Sequence, residues 1–379
     1  PSQMGRGTTK WWRGVGARRR GLAPNPLHHP LKKRVVPLPK QAWGGTGFAF
    51  VASLLATGAP AQDKVESVIG PDYADAPEMA VNPQQPMGTL HGFIMLSQDS
   101  KIYPGIRQLA NDYTAKRDAF GNRIAAQDAQ QSEAAPYRRE VIVYVPAGYK
   151  PNSETPFMVV QDGRDYATRV ALALDTLIAQ HRVPAMVAVM IQSGGGDAQG
   201  SQRGLEYDTM SGRYAEFVET EVLPRVAANY HIRFTKNPDG RAAMGASSGA
   251  AAALSMAWFH PEYYRRVLSY SGTFVNQQSP PDPATPEGAW DYHAHLIPES
   301  PARPIRIWME VGEKDLHFGD PESTFHNWPM ANQRMAAALK AKGYAYRYVF
   351  AKDAVHVDAR VVAQTLPAAI EWVWQGYPK

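Results

Sequence analysis

The stretch GRAAMGASSGAAAALSMAWFHPEYYRRVLSYSG, residues 240–272, reads as strand, sharp turn and helix. Arg241 to Met244 is a short strand former, Gly245-Ala246-Ser247-Ser248-Gly249 is a G-x-S-x-G, and Ala250 to Phe259 is an alanine-rich helix former. A nucleophilic serine on such a turn needs neighbours at minus two and plus two without a bulky Cβ, and only Ser247 has glycine at both. Ser247 is therefore the candidate nucleophile, and the backbone N–H of Ser248, which follows it, is a candidate donor to an oxyanion. Glycine, serine and alanine clusters are also ordinary loops. The catalytic reading requires an acid and a histidine elsewhere in the chain.

Outward from this stretch the chain alternates. Strand-like runs at 156–161, 184–191, 266–270, 304–311 and 344–351 are separated by helical patterns at 167–181, 212–230, 329–342 and 358–374. Ahead of them, 89–102 and 137–145 read as an early strand pair, with a polar, loop-like stretch at 103–135 between them. Strands separated by helices predict a mostly parallel central sheet covered by helices on both faces, with ligands bound beyond the strand C-termini. After the strand ending at Val311 comes Gly312-Glu313-Lys314-Asp315, and His356 follows the last strand. The order Ser247, Asp315, His356 is that of an α/β-hydrolase, which is the expected fold. Asp315 also reads as a turn or cap aspartate, and Glu310 and Glu313 are alternatives for the acid. His356 alone among the eleven histidines lies on a loop after the last strand.

A second oxyanion donor is expected after the third core strand, where Gln161-Asp162-Gly163-Arg164 stands, and the backbone N–H of Arg164 is nominated. Trp290, Tyr292, Phe325 and Trp328 lie beyond strand ends and offer rings for a sugar or aromatic acyl group. Arg203 and Arg164 would suit an anionic substrate. His293-Ala-His295 lacks further ligands at metal-binding spacing, so neither metal nor cofactor is expected.

The chain carries 40 Lys+Arg against 35 Asp+Glu, a net charge of +5. Ten of those basic residues precede Ala42, and the first acidic residue is Asp63. Residues 62–379 then hold 30 basic and 35 acidic side chains, a net of −5, so no nucleic-acid partner is expected. The apolar run at 47–57 is too short to span a bilayer and is followed by Ala59-Pro60-Ala61, an A-x-A cleavage signal. Residues 1–30 read as a basic upstream segment, 31–61 as a signal peptide, 62–87 as a linker and 88–379 as one domain. The product is expected in the periplasm or outside the cell, with no membrane span left after cleavage. Without cysteine, it must be held together by its core alone.

The motifs Val159-Val160-Gln161-Asp162-Gly163, Arg203-Gly-Leu-Glu206-Tyr207-Asp208, 245–249 with Trp258 and Pro261, and Ala331-Asn332-Gln333-Arg334 onward resemble the enterochelin-esterase-like branch of the esterase D superfamily. That group includes feruloyl and acetyl-xylan esterases. The resemblance implies Ser247 as nucleophile, His356 as base and Asp315 as acid. Asp162, Gly163, Arg203, Tyr207 and Trp328 are expected substrate contacts, and a small-molecule or carbohydrate ester is the expected substrate. Ala354-Val355-His356 departs from the glycines usual before that histidine. A catalytically silent carbohydrate-binding member of the fold and a serine peptidase remain alternatives.

Overall fold

The computed structural model describes residues 65–109, 132–197 and 199–379. The expected basic segment and signal peptide, and most of the polar stretch 103–135, lie outside them. Nine strands form one sheet: β1 (Glu66–Ile69), β2 (Thr89–Leu96), β3 (Arg138–Val145), β4 (Phe157–Gln161), β5 (Val187–Ile191), β6 (Arg241–Ala246), β7 (Arg266–Tyr270), β8 (Arg306–Lys314) and β9 (Ala345–Val355). Their order is β1-β9-β8-β7-β6-β4-β5-β3-β2. Only β2 with β3 and β3 with β5 pair antiparallel. The remaining neighbours run parallel, as strands joined through crossover helices must.

Alternate residues of the central strands feed two separate cores, because side chains leave a strand on opposite faces. Phe157, Val159, Val187, Val189, Ala243, Val267 and Ile307 face one layer. That layer contains α2 (Gln202–Tyr207), α3 (213–230), α4 (Ser248–Phe259) and α5 (Trp328–Ala341). Met158, Val160, Ala188, Met190, Met244 and Leu268 face the other, made by α1 (Gly163–Ala179) and α6 (Ala359–Val373). Burial on both faces explains why these strands read as unbroken apolar runs.

Two expectations need correction. The segment 62–87 contains β1, an edge strand whose residues Glu66 to Ile69 pair in parallel with Tyr348 to Ala351. The four-residue run Glu-Ser-Val-Ile is too short for periodicity to mark, and Val68 stays exposed at the edge. The stretch 103–135 contains two short strands that pair antiparallel, Ile106–Gln108 with Ser132–Ala134. The helix expected at 212–230 is present, but its middle turn, Val218–Val222, is a π-turn. Pro224 has no N–H to donate backwards, and the hydrogen-bond ladder widens just ahead of it.

Candidate active site

The strand ends converge at Ser247. This residue stands between β6 and α4 with φ 55° and ψ −131°, a region other residues than glycine rarely occupy. Gly245 permits the bend, since a Cβ there would lie 2.2 Å from the backbone carbon of Gly249. The next strand holds the turn on both sides: Ser247 N–H donates to Tyr270 O at 3.0 Å, and Thr273 N–H donates to Ser247 O at 3.2 Å.

His356 follows β9 directly and sets Nε2 2.9 Å from Ser247 Oγ. Its Nδ1 lies 2.6 Å from Asp315 Oδ1, which also accepts from Leu316 N–H at 2.6 Å. Asp315 is 1% exposed, and its Oδ2 has no partner among the described residues. With Nδ1–H donating to the carboxylate, Nε2 is left to accept the serine proton. A bulge in the β8 and β9 pairing between Gly312 and Lys314 brings the two loops together, and Gly312 allows it because a Cβ would meet Ala354 O at 2.5 Å. Glu310 is buried earlier on β8, where burial, with Asp315 and Asp358 adding to it, pushes its carboxyl well above the usual range. Glu313 accepts from Asp353 N–H at 2.9 Å. Neither glutamate has a hydrogen bond to the histidine.

The opposite wall is built on α2. Asp162, left-handed at φ 52°, pairs with Arg203 at 2.9 Å, and Arg203 also pairs with Asp197. Burial outweighs Arg203 and pushes the Asp162 carboxyl up. Gly163 serves packing, because a Cβ would lie 2.3 Å from the Met190 carbonyl carbon. The Arg164 N–H donates to Gln192 Oε1 over a long 3.3 Å, and its side chain pairs with Glu140 at the surface. Tyr207, expected at the substrate, is a core residue that accepts from Asp162 N–H and stands edge-on to Tyr214. Sequence reasoning missed Asp208 and Gln277. Gln277 Nε2 donates to Asp208 Oδ2 at 3.2 Å and to Ser248 Oγ at 3.3 Å. No motif marks Gln277, and Asp208 closes the motif Arg203-Gly-Leu-Glu206-Tyr207-Asp208 without a role assigned to it.

The loop aromatics are mostly internal. Trp290 packs on Phe325 and on His293, and Tyr292 is buried against Trp258. Trp328 is buried as well, stacked on His317 and edge-on to His356 with ring centres 6.1 Å apart. His293 and His295 part company: burial, helped by Arg334, pushes His293 down to about 3, whereas His295 is exposed beside Asp291 and Glu299. The apolar side chains that do reach solvent here are Leu316, Phe318 and Val355, all within three residues of Asp315 or His356.

The strand order, the crossover helices and the strained serine turn after β6 define an α/β-hydrolase. A family model described as "Putative esterase" matches residues 132–369, well over half of the chain. The chain belongs to this esterase family and is a carboxylic ester hydrolase. A ferulic acid esterase of known structure shares 16% identity and a TM-score of 0.50 over 76% of this chain and 98% of its own. The enterobactin esterase of Shigella flexneri shares 22% identity with a TM-score of 0.47 over 71% of this chain and 61% of its own. The feruloyl esterase module from Clostridium thermocellum shares 16% identity with a TM-score of 0.47 over 80% of this chain and 95% of its own. The chain thus spans about three fifths of the Shigella enzyme, and the likeness to the ferulic acid esterase shows the fold alone. No curated protein matches the chain.

Proposed function

We propose that the chain is an exported serine esterase that works through an acyl-enzyme. The observation that carries this reading is the unbroken hydrogen-bonded line from Asp315 through His356 to Ser247, at 2.6 and 2.9 Å. His356 Nε2 takes the Ser247 proton as Oγ attacks the ester carbonyl, and Asp315 holds the ring and stabilises the imidazolium. The imidazolium then protonates the leaving alkoxide, and water activated by the same nitrogen releases the acid. Ser248 N–H, at the start of α4, and Arg164 N–H after β4 are the oxyanion donors, the latter once freed from its long bond to Gln192.

For the substrate, a neutral ester with an apolar or aromatic group is favoured, such as a feruloyl or acetyl ester of a carbohydrate. The two arginines that would receive an anionic, siderophore-type ester already answer carboxylates, Arg203 those of Asp162 and Asp197 and Arg164 that of Glu140. Exposed Leu316, Phe318 and Val355 offer apolar contact beside the reacting groups. A panel of p-nitrophenyl, feruloyl, acetyl-sugar and trilactone esters, run on the wild type and Ser247→Ala, tests this. Turnover of feruloyl or acetyl esters that vanishes in Ser247→Ala is expected, and preference for the trilactone would reverse the substrate assignment. The apolar run at 47–57 and Ala59-Pro60-Ala61 support export with cleavage after Ala61. The N-terminal sequence of exported protein is then expected to begin at Gln62.

A further inference from the structure

The elbow is also tied to a largely buried polar chain whose members the triad does not use. Asp208 lies at the end of α2, buried, with Oδ2 accepting from Gln277 Nε2 at 3.2 Å and Oδ1 without a partner among the described residues. The same Gln277 nitrogen donates to the hydroxyl of Ser248 at 3.3 Å. Ser248 is fully buried and is the first residue of α4, so its hydroxyl and its backbone N–H move as one rigid unit with the strained turn. A residue at φ 55° and ψ −131° keeps that conformation only if its surroundings over-determine it. Tyr270 and Thr273 restrain the backbone of Ser247 at its N–H and its carbonyl. The link through Ser248, Gln277 and Asp208 adds a further restraint.

We propose that Asp208 is a positioning residue of the ester hydrolysis: through Gln277 and the Ser248 hydroxyl it fixes the Ser248 N–H for the oxyanion, and its charge state sets how well that N–H serves. This rests on the serine-esterase reading above. Its physical basis is placement. A carboxylate beside the N–H that must donate to a developing oxyanion opposes the charge the site exists to stabilise, whereas a neutral carboxyl does not. Two charged groups bear on it. Arg203 draws its carboxyl down but is engaged by Asp162, and Asp197 pushes it up. Burial is the largest influence, Ser248 and Gln277 offset part of it, and the net effect moves Asp208 up to about 7. As pH rises through that value Asp208 gains its negative charge, so turnover falls on the alkaline side while the histidine base makes it rise on the acid side.

The test is the kcat profile on p-nitrophenyl acetate from about pH 5 to 9 for the wild type, Asp208→Asn, Gln277→Ala and Ser247→Ala, with KM measured alongside. The wild type is expected to give a bell and Asp208→Asn a curve that rises and stays high, with KM unchanged. A falling limb unchanged in Asp208→Asn, or a loss of equal size at every pH, overturns the proposal. Gln277 is half-buried, and its truncation decides the matter should the Asp208 variant fail to fold. Cutting the link should lower kcat, by less than the about 10²–10³-fold that deleting an oxyanion donor costs, and leave KM in place. An unchanged kcat in Gln277→Ala overturns the proposal equally. Retained turnover in Ser247→Ala would instead sink the serine-esterase reading itself, whatever the shape of the other profiles.

Discussion

The two flanks of Ser247 treat buried charge in opposite ways. On the α2 side the charges are answered, the buried carboxyl of Asp208 excepted. Arg139 and Glu206, both fully buried, meet through two hydrogen bonds of 2.5 and 2.8 Å, and Glu206 takes a further one from Gln202. Arg203 is shared between Asp162 and Asp197. On the β8 and β9 side carboxyls gather without a buried cation: Asp315 has only the imidazole and a backbone N–H, and Glu310 lies near it with no arginine or lysine to offset its charge. A paired charge has spent its field on its partner. An unpaired carboxylate in a low-dielectric wall keeps its field for whatever cation arises beside it, and during acyl transfer that cation is the imidazolium. The first flank is built for rigidity and the second for chemistry.

Removing the chemistry should cost most. Ser247→Ala and His356→Ala are expected to lower kcat by roughly 10⁴-fold or more without loss of fold, and Asp315→Asn by up to about 10⁴-fold, since an amide both favours the wrong imidazole tautomer and removes the charge. Initial rates on p-nitrophenyl esters, with circular dichroism as the control for folding, measure this. A milder loss in Asp315→Asn than in Glu310→Gln or Glu313→Gln would show that the acid is misassigned.

The answered flank should break differently. Arg139→Met leaves Glu206 buried without its cation and is expected to lower stability by about 3–5 kcal/mol. Replacing both, Arg139→Met with Glu206→Leu, should recover much of that loss, because two desolvated charges disappear together. Urea midpoints of the single and double variants give the coupling. A double variant as unstable as the single would mean the pair contributes more than its own compensation.

The readable and unreadable parts of the chain divide along the same line. The elbow, the sheet and the order of Ser247, Asp315 and His356 were legible because each depends on local rules: glycine where Cβ has no room, apolar runs where both faces are buried, loops where strands end. Tyr207 and Trp328 are buried, a placement the sequence did not mark, because an aromatic side chain looks alike whether it lines a cleft or closes a core. The link of Asp208 to Gln277 was invisible, although Asp208 lies in a quoted motif, because it joins residues 69 positions apart with no spacing rule behind it. The β1 edge strand was missed for want of length.

The smallest predicted effect is also the one that most sharpens the contrast. Glu310 and Asp315 are buried on the same flank, yet only Asp315 bonds the histidine. If the flank works by holding a single negative charge, Glu310 must stay protonated, and burial with the nearby carboxylates pushes it well above its ordinary 4.5 in that direction. A carboxyl whose folded pKa is raised contributes stability that is complete below about 4.5 and is lost as pH rises towards the folded value. Glu310→Gln keeps the shape of the neutral acid and cannot ionise. Its unfolding free energy should therefore match the wild type near pH 4 and fall less steeply from there through neutrality, by up to about 1.4 kcal/mol per pH unit. Its kcat should stay within a few-fold, since no reacting atom is touched. Denaturant titrations at several pH values measure the slope. Equal slopes for Glu310→Gln and the wild type would mean that Glu310 is not the group holding this proton, and the flank would then carry a second charge that the imidazolium must share with Asp315.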